Sequence, residues 1–318
     1  MNRPSFTRRE FLRLGAVASV ALPLAVGLGT GCAGGRLGGR GKAGCEGLLP
    51  RRRLGRTGVM VSALGLGGAM WISRTDDKDA VERILNEAID SGITYFDTAH
   101  GYGRSQANLG LVMGTPRRRG LFIAGKVEAR DYDGAMRECE ESLRELRVDV
   151  IDLLQVHHIN PGEDVAALGK PGGVIAAMRR LREERVIRFL GVTGHPDYPV
   201  VKECLERYDD LDTFMCFINP LARSRPVFEE QLPVARRKDM GIVAMKVYGG
   251  GDPAALVGSG PCQATAEELL RFALSENISV AIPAVSSLEQ LRENVRVARA
   301  CELMEQAERE RLIARLNT

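Results

Sequence analysis

The sequence predicts a (β/α)8 barrel, a closed ring of parallel strands that alternate with helices. Eight apolar strand segments alternate with helical segments, and together they span roughly 250 residues, the usual size of this fold. Three successive strand segments end at or near a chemically reactive side chain, namely Asp97, Lys126 and His157. Barrels of this kind place their chemistry at the carboxyl ends of the strands, so the same segments predict the position of a site.

The elements follow one another without interruption from residue 54 onward. The apolar run 60–67 is the first predicted strand, and the helical segment 79–90 after it places Ala80, Ile84, Leu85 and Ala88 on one face. The other predicted strands are 93–97, 121–126, 151–157, 189–193, 213–218, 241–247 and 278–282. The other predicted helices are 106–113, 133–146, 174–184, 200–208, 227–238, 266–275 and 288–301.

A doubly wound parallel sheet is the alternative architecture for this alternation. It would require a Gly-x-Gly-x-x-Gly turn after the first strand, with an acidic residue about 20 positions later. The run Leu64-Gly65-Leu66-Gly67-Gly68 is rich in glycine but has a different spacing, and no helix begins at its end. The barrel is therefore the preferred prediction.

The first 31 residues predict an export signal. Thr7-Arg8-Arg9-Glu10-Phe11-Leu12 is a twin-arginine pattern, and the mildly apolar stretch 14–28 follows it. This stretch is shorter than the roughly 20 apolar residues that a membrane span needs. A short membrane anchor or an amphipathic arm is the alternative. We expect the twin-arginine machinery to carry the protein across a bacterial inner membrane, which would make it periplasmic or membrane-anchored.

The segment between this signal and the barrel predicts a tether. Gly29-Thr30-Gly31-Cys32 resembles a lipobox, although Leu28 lies one place further from the cysteine than is usual. A lipid anchor at Cys32 and a simple cleaved signal are equally compatible with this run. Residues 32–50 are rich in Gly and Arg and predict a flexible linker, and residues 51–318 form the predicted barrel domain.

Charge and cysteine spacing argue against two classes of function. The formal charge is +3, but residues 1–31 hold four arginines and one glutamate, so 40 basic and 40 acidic residues remain after them. This balance predicts no nucleic-acid binding. The seven cysteines include no Cys-x-x-Cys pair, so no metal site is expected, and nothing in the sequence pairs them as disulfides.

Five motifs, in order along the chain, resemble those of the aldo-keto reductases. The resemblance covers the chain from about residue 53 to about residue 300. The first four motifs are Arg53-Leu54-Gly55-Arg56-Thr57-Gly58, Gly65-Leu66-Gly67, Phe96-Asp97-Thr98-Ala99-His100-Gly101-Tyr102-Gly103 and Asp152-Leu153-Leu154-Gln155-Val156-His157. The fifth motif spans residues 282–294, begins Ile282-Pro283-Ala284-Val285-Ser286-Ser287 and ends at Asn294. The resemblance implies a barrel with a nicotinamide cofactor across its C-terminal face. It also implies reversible reduction of a carbonyl group.

The same resemblance implies four catalytic residues. Tyr102 would donate a proton to the carbonyl oxygen, and Lys126 would assist by lowering the pKa of this phenol, which is near 10 when unperturbed. Asp97 would pair with Lys126 and hold it. His157 would orient the carbonyl as a neutral hydrogen-bond donor. The adjacent His158 is the alternative, but the spacing from the motif's aspartate favours His157.

The positions that the family uses for the nicotinamide depart from its usual pattern. Thr193 retains a hydroxyl, whereas Gly194 replaces a side chain that would contact the amide. Met215 stands where a glutamine is common, and Met245 and Lys246 stand near the usual ring-stacking tyrosine. A methionine can pack on a ring through its polarizable sulfur. Lys246 would meet the pyrophosphate as a point charge, since glycines follow it; an ordinary strand-end lysine is the alternative.

Further positions implied by the resemblance bear on the choice between NADPH and NADH. The cofactor-binding set is completed by Gly67 in the second motif and by Val285, Ser286, Gln290 and Asn294 in the last one. Family members that bind the 2′-phosphate usually carry basic residues at the positions of Ala284 and Gln290. Neither position is charged here, so the sequence leaves both cofactors open, with Arg292, Arg296 and Lys246 as other candidate partners of a phosphate.

Two functions are compatible with these observations. The first is an exported reductase that converts an aldehyde or ketone to an alcohol with NADPH or NADH. The second is a non-catalytic barrel that binds a nicotinamide cofactor and senses redox state or couples to an envelope partner. The four catalytic residues favour the enzyme. The replaced nicotinamide contacts count against it, and so does the export signal, because free nicotinamide cofactor should be scarce outside the cytoplasm. The loops that would choose the substrate carry no diagnostic motif.

Overall fold

The computed structural model describes residues 47–196, 199–250, 256–258, 260 and 262–318. The predicted signal, residues 1–31, and the predicted linker up to residue 46 lie outside these described residues.

Eight parallel strands form one barrel, and this confirms the predicted fold class. Each strand pairs with the next one along the chain, and a parallel bridge between Leu64 and Ala281 joins the two edge strands. The barrel strands are β3 Gly65–Gly67, β4 Tyr95–Asp97, β5 Phe122–Val127, β6 Ile151–Ile159, β7 Ile187–Gly194, β8 Thr213–Phe217, β9 Gly241–Met245 and β10 Val280–Ala281.

Helices follow the barrel strands. The α-helices of the described residues are Trp71–Arg74, Lys78–Asp90, Ser105–Met113, Tyr132–Leu146, Val165–Leu168, Val174–Glu183, Pro199–Arg207, Leu232–Arg237, Ala266–Ser275, Leu288–Ala300 and Gln306–Leu316. Short 3-10 helices occur at Gly55–Thr57, Pro116–Arg118 and Ala222–Ser224. None of the helices in this part of the chain is long and apolar enough to cross a membrane.

The predicted first strand, residues 60–67, is divided in the structure, so its prediction as one strand is wrong. Its first part, β2 Met60–Ser62, pairs antiparallel with β1 Arg51–Arg53 and forms a hairpin. Leu54 and Val61 of this hairpin pack into the interior of the barrel. A continuous apolar run does not reveal such a division, because both parts bury their side chains.

The predicted helix 227–238 also differs from the observed structure. A π-helical turn, Val227–Gln231, precedes the α-helix Leu232–Arg237. Pro233 lies in the first turn of that α-helix. Proline has no backbone N–H and cannot donate the usual helical hydrogen bond, so the helical pattern changes just before it.

The strand period explains how reactive side chains reach the mouth of the barrel. The interior contains an apolar cluster that includes Tyr95, Ala124 and Leu153. Successive side chains of a strand point to opposite faces, so Asp97 and Lys126 lie on the same inner face, each two positions after a member of this cluster. The side chains of the other face pack against the helices in a larger apolar core.

Candidate active site

Asp97 and Lys126 form a buried ion pair at the C-terminal mouth of the barrel. Lys126 Nζ lies 2.6 Å from Asp97 Oδ1 and donates a second hydrogen bond to the Thr98 carbonyl oxygen at 2.8 Å. Burial by itself would lower the pKa of Lys126, but the Asp97 carboxylate and the Tyr102 phenol outweigh it and raise that pKa above 10.5. Burial raises the pKa of Asp97, which the Lys126 ammonium only partly offsets. The short contact favours a charged pair, with the proton on Lys126.

Tyr102 lies directly above this pair. It follows β4 in a turn in which its N–H donates to the Ala99 carbonyl, and Lys126 Nζ is 4.6 Å from the centre of its ring. Burial raises the pKa of Tyr102 above 10, and Lys126 acts in the opposite direction. The expected lowering by Lys126 is therefore present, but the net direction is upward. The phenol remains protonated at neutral pH, as a proton donor requires.

His157 stands beside the phenol on β6. Its ring centre is 5.3 Å from that of Tyr102, in an edge-to-face arrangement. Burial is the main cause that lowers the His157 pKa to about 3, and the nearby charge of Lys126 adds to it. The ring is therefore neutral at physiological pH. Its Nδ1 lies 3.2 Å from Glu128 Oε1, and a neutral imidazole donates from one nitrogen only.

His158 and His195 extend the same wall of the mouth. The His158 ring is 5.1 Å from that of His157 and 5.6 Å from that of His195. His158 has a φ of 23°, and the pairing of β6 with β7 shifts register around it. Its backbone N–H donates to Thr193 Oγ1 at 2.6 Å. The irregularity lets two consecutive residues of one strand, His157 and His158, both face the cavity.

These side chains surround a cavity of about 410 Å³. It is lined by residues from several strand ends and loops: Ala69, Met70, Arg74, Tyr102, Lys126, His157, His158, Thr193, His195, Met215, Met245 and Lys246. A narrower cleft shares Tyr102, Met215, Met245 and Lys246 with this cavity and continues past Gly67, Gly250 and the segment Ile282-Pro283-Ala284. One continuous site thus has two arms that meet at Tyr102.

Five of the predicted cofactor residues lie at this site. Strand register places Thr193 beside Met215, and Gly67 beside Asp97. Met245 ends β9, and Lys246 follows it with a φ of 55°, so the predicted strand 241–247 is two residues too long. Burial is the main cause that lowers the Lys246 pKa, and the charges of Arg223 and Lys126 add to it.

The other four predicted cofactor residues are not among the residues that line the two arms. Val285 is buried, and Asn294 Oδ1 accepts a hydrogen bond from the Tyr248 hydroxyl. Gln290 Oε1 accepts from the Ser286 backbone N–H at 2.8 Å, so these two residues are engaged with each other. They lie on the segment that continues from Ala284 into the helix Leu288–Ala300.

Two of the three alternative cations for a 2′-phosphate are paired with carboxylates. Arg292 lies 2.9 Å from Glu87, and Arg296 lies 2.7 Å from Glu267, both at the exposed surface. Lys246 is the candidate of the three that lines the cleft.

Several site residues were not found by sequence reasoning. Met70 and Arg74 line the larger cavity from the loop and short helix after β3, and Glu128 contacts His157. Their common signal is position, because each follows the carboxyl end of a barrel strand. Within the described part of the chain, no group of three or more His, Cys, Asp or Glu side chains could hold a metal ion.

Comparisons with known proteins agree with this architecture. The profile of the aldo/keto reductase family matches residues 63–252. An uncharacterized oxidoreductase of Bacillus subtilis is 28% identical over 81% of this chain and 94% of its own length. Pyridoxal 4-dehydrogenase of Microbacterium luteolum is 30% identical over 63% of this chain and 71% of its own length. The structure of an aldo-keto reductase from Klebsiella pneumoniae in complex with NADPH superimposes with a TM-score of 0.70 and 21% identity, covering 85% of this chain and 96% of that one.

Proposed function

The chain belongs to the aldo/keto reductase family, and we propose that it reduces an aldehyde or a ketone to an alcohol, using NADPH or NADH. The observation that carries this proposal is the buried contact between Asp97 and Lys126 directly beneath the Tyr102 phenol. A protonated phenol and a neutral imidazole at the mouth of one cavity can both donate hydrogen bonds to a carbonyl oxygen that gains negative charge.

The narrower arm suits the cofactor. Gly250 has a φ of 79° and lies beside Lys246, so backbone and a cation face the same space and suit a pyrophosphate. A side chain at Gly67 would come within 2.7 Å of Ile282, so glycine keeps the cleft open there. Outside the lining of this arm, Asn294 Nδ2 is buried and has no hydrogen-bond partner among the described residues. The residues present therefore fit a nicotinamide cofactor.

Each of the four central residues has one task in the proposed reaction. A bound nicotinamide cofactor would supply the hydride to the carbonyl carbon. Tyr102 donates its hydroxyl proton to the carbonyl oxygen, and the Lys126 ammonium stabilises the phenolate that results. Asp97 holds Lys126 in place and keeps it protonated. His157 orients the carbonyl through Nε2–H, which requires the half-exposed Glu128 carboxylate to turn from Nδ1 toward solvent.

The decisive variant is Tyr102→Phe, which removes one hydroxyl and retains the ring. General acid catalysis typically contributes about 10²–10⁴-fold, so we expect turnover to fall by at least that factor while cofactor affinity changes little. Tyr132→Phe, on a helix away from the cavity, is the matched control. Turnover and cofactor affinity are measured separately, by steady-state kinetics and by titration of cofactor fluorescence.

Two outcomes would contradict parts of this proposal. Near wild-type turnover of Tyr102→Phe would exclude this phenol as the proton donor. Wild-type protein that binds a nicotinamide cofactor but reduces no carbonyl compound would favour the non-catalytic alternative, a redox-sensing barrel coupled to an envelope partner. The replaced amide contacts at Gly194 and Met215, together with the export signal, are the reasons to test that alternative.

We also propose that the protein works outside the cytoplasm. The support is the twin-arginine pattern at Arg8 and Arg9 and the cysteine at position 32, which would direct export and allow a lipid anchor. The twin-arginine route carries folded proteins, so a bound cofactor could be exported with the barrel. Purification of the exported form, followed by release and identification of any bound nucleotide, tests this directly.

A further inference from the structure

Glu128 holds its carboxylate beside the His157 ring. It directly follows β5, and its Oε1 lies 3.2 Å from His157 Nδ1. The His157 side chain lines the larger cavity and is 14% exposed, whereas half of the Glu128 side chain is exposed. The contact therefore joins a largely buried ring to a carboxylate that water also reaches.

Hydrogen bonds hold the backbone on both sides of this contact. The Glu128 N–H donates to Glu138 Oε2 at 2.7 Å, and the Glu128 carbonyl accepts from the Arg130 guanidinium at 2.7 Å. The same guanidinium donates to the carbonyls of His157 and His158 at 2.9 and 2.8 Å. Arg130 thus ties the end of β5 to β6, so the backbones of Glu128 and His157 keep a fixed spacing.

Gly101 leaves room for the carboxylate. An added Cβ at Gly101 would lie 2.1 Å from Glu128 Oε1, so a larger residue there would displace the carboxylate from its place beside His157. Gly101 directly precedes Tyr102. Burial is the main cause that raises the pKa of the Tyr102 phenol, and the Glu128 charge adds to it. The carboxylate therefore lies close to both groups that would meet the carbonyl oxygen.

This contact fixes where a neutral His157 carries its proton. An ionised carboxylate only accepts hydrogen bonds, and a neutral imidazole donates from one nitrogen and accepts at the other. Because Nδ1 donates to Glu128, Nε2 carries no proton and accepts hydrogen bonds. A hydroxyl group can donate to Nε2, whereas a carbonyl oxygen can only accept. The observed arrangement therefore suits an alcohol better than an aldehyde or a ketone.

We propose that Glu128 is a positioning residue that keeps the His157 proton on Nδ1, so that the site holds the alcohol in preference to the carbonyl compound. This inference rests on the proposed reductase function and adds the residue that sets the balance between its substrate and its product. Reduction then requires the Glu128 carboxylate to turn away, Nδ1 to release its proton to water and Nε2 to take one up. These changes cost the hydrogen bond between the two side chains. Glu128 therefore slows reduction and strengthens binding of the alcohol product.

Nitrogen NMR of the cofactor-free protein, with its four histidines isotopically labelled, tests the proton position directly. At about pH 8 an unperturbed imidazole is neutral, so each ring shows one protonated and one bare nitrogen, and His157→Phe identifies the His157 signals by their loss. We expect Nδ1–H in wild type and a larger share of Nε2–H in Glu128→Gln, whose amide can donate to Nδ1. Gly101→Ala, which displaces the carboxylate without removing it, should act in the same direction. A wild-type His157 with its proton on Nε2, or with both nitrogens protonated, would overturn the proposal.

The pair of His100 and Glu141 provides the matched control. It is also a contact between a histidine and a carboxylate, with His100 Nε2 2.8 Å from Glu141 Oε2. His100 is not among the described residues that line either arm of the site. The same rule places the proton of a neutral His100 on Nε2, so the wild-type spectrum should contain both tautomers. Glu141→Gln should leave the His157 signals and the ligand affinities unchanged.

Two inert ligands of similar size test the preference for a hydroxyl group. The hydroxyl carbon of 2-phenyl-2-propanol bears no hydrogen that could leave as hydride, and N,N-dimethylbenzamide offers a carbonyl acceptor that a nicotinamide does not reduce. Calorimetry gives both dissociation constants with cofactor bound. We expect Glu128→Gln to change their ratio about 2- to 10-fold in favour of the amide, the size of one hydrogen bond, and kcat/KM for benzaldehyde reduction to rise by a similar factor.

The His157→Phe background shows whether Glu128 acts through the ring. There Glu128→Gln should leave the ratio of the two dissociation constants unchanged; an equal shift would mean that Glu128 acts through its charge, and the proposal fails. If Glu128→Gln changes neither the ratio nor the rate of reduction in the otherwise wild-type protein, the proposal also fails while the reductase function stands. If no aldehyde is reduced but the spectra and the ratio behave as expected, the reductase function fails and the assignment of Glu128 stands.

Discussion

The buried pair of Lys126 and Asp97 should support stability and catalysis in separable ways. Lys126→Met removes the ammonium and retains a side chain of similar length. Asp97 is then left as a buried carboxylate without its partner 2.6 Å away. Breaking a buried pair from one side typically destabilises a protein by about 3–5 kcal/mol. At roughly 2–4 °C per kcal/mol for a domain of this size, we expect the melting temperature to fall by about 6–20 °C.

A double variant separates the two roles. Lys126→Met combined with Asp97→Asn leaves no charge to bury, so most of the lost stability should return, with a coupling of roughly 1–3 kcal/mol between the two sites. Turnover should not return, because neither replacement supplies a positive charge beneath the Tyr102 phenol. Lys170→Met is the matched control, since Lys170 pairs with Asp164 at 3.9 Å with both side chains well exposed. Such a pair is worth at most about 1 kcal/mol.

The assays are urea unfolding of the four proteins of this cycle and their kcat/KM for one aldehyde. If Lys126→Met is as stable as wild type, and its effect on the free energy of unfolding is independent of Asp97→Asn, the account of the buried pair is refuted. A double variant that regains wild-type turnover would refute the need for a cation beneath the phenol. The two readouts thus address stability and chemistry independently.

Three further predictions concern pH, cofactor choice and export. Burial lowers the His157 pKa to about 3, so between pH 6.5 and pH 3 the unfolded chain binds a proton that the folded state does not. The free energy of unfolding should therefore fall as the pH falls from 6.5 toward 3, by at most about 5 kcal/mol. His157→Asn should show a weaker dependence of this free energy on pH when its unfolding is measured at several pH values. Gln290→Arg should raise the ratio of NADPH to NADH affinity about 10- to 100-fold; an unchanged ratio in fluorescence titrations would mean that the side chain does not reach the ribose. Replacement of Arg8 and Arg9 by lysine should leave precursor in the cytoplasm, and normal export of this variant would contradict the export signal. If Cys32 is lipidated, Cys32→Ser should move exported protein from the membrane fraction to the soluble fraction. An unchanged fractionation of this second variant would contradict the lipid anchor.

The fold could be predicted from the sequence because its signals are local. Each barrel strand is a short apolar run, and each helix repeats apolar residues on one face, so neighbouring residues contain the pattern. The division of residues 60–67 between β2 and β3 was missed because both parts bury apolar side chains. The switch from a π-helical turn to an α-helix before Pro233 was missed because the apolar spacing of the segment suits either helix.

The sequence alone determined which residue types stand at the ends of the strands, and the family motifs implied a role for Asp97, Tyr102, Lys126 and His157. Only the tertiary structure decided the burial of these groups, their contacts and the direction of their pKa shifts. The pKa of Tyr102 is raised rather than lowered, because burial by distant parts of the chain outweighs the charge of Lys126. Arg74 joins the cavity, and Gln290 is engaged by the Ser286 N–H. Burial and contacts depend on residues far apart in sequence, which local patterns do not contain.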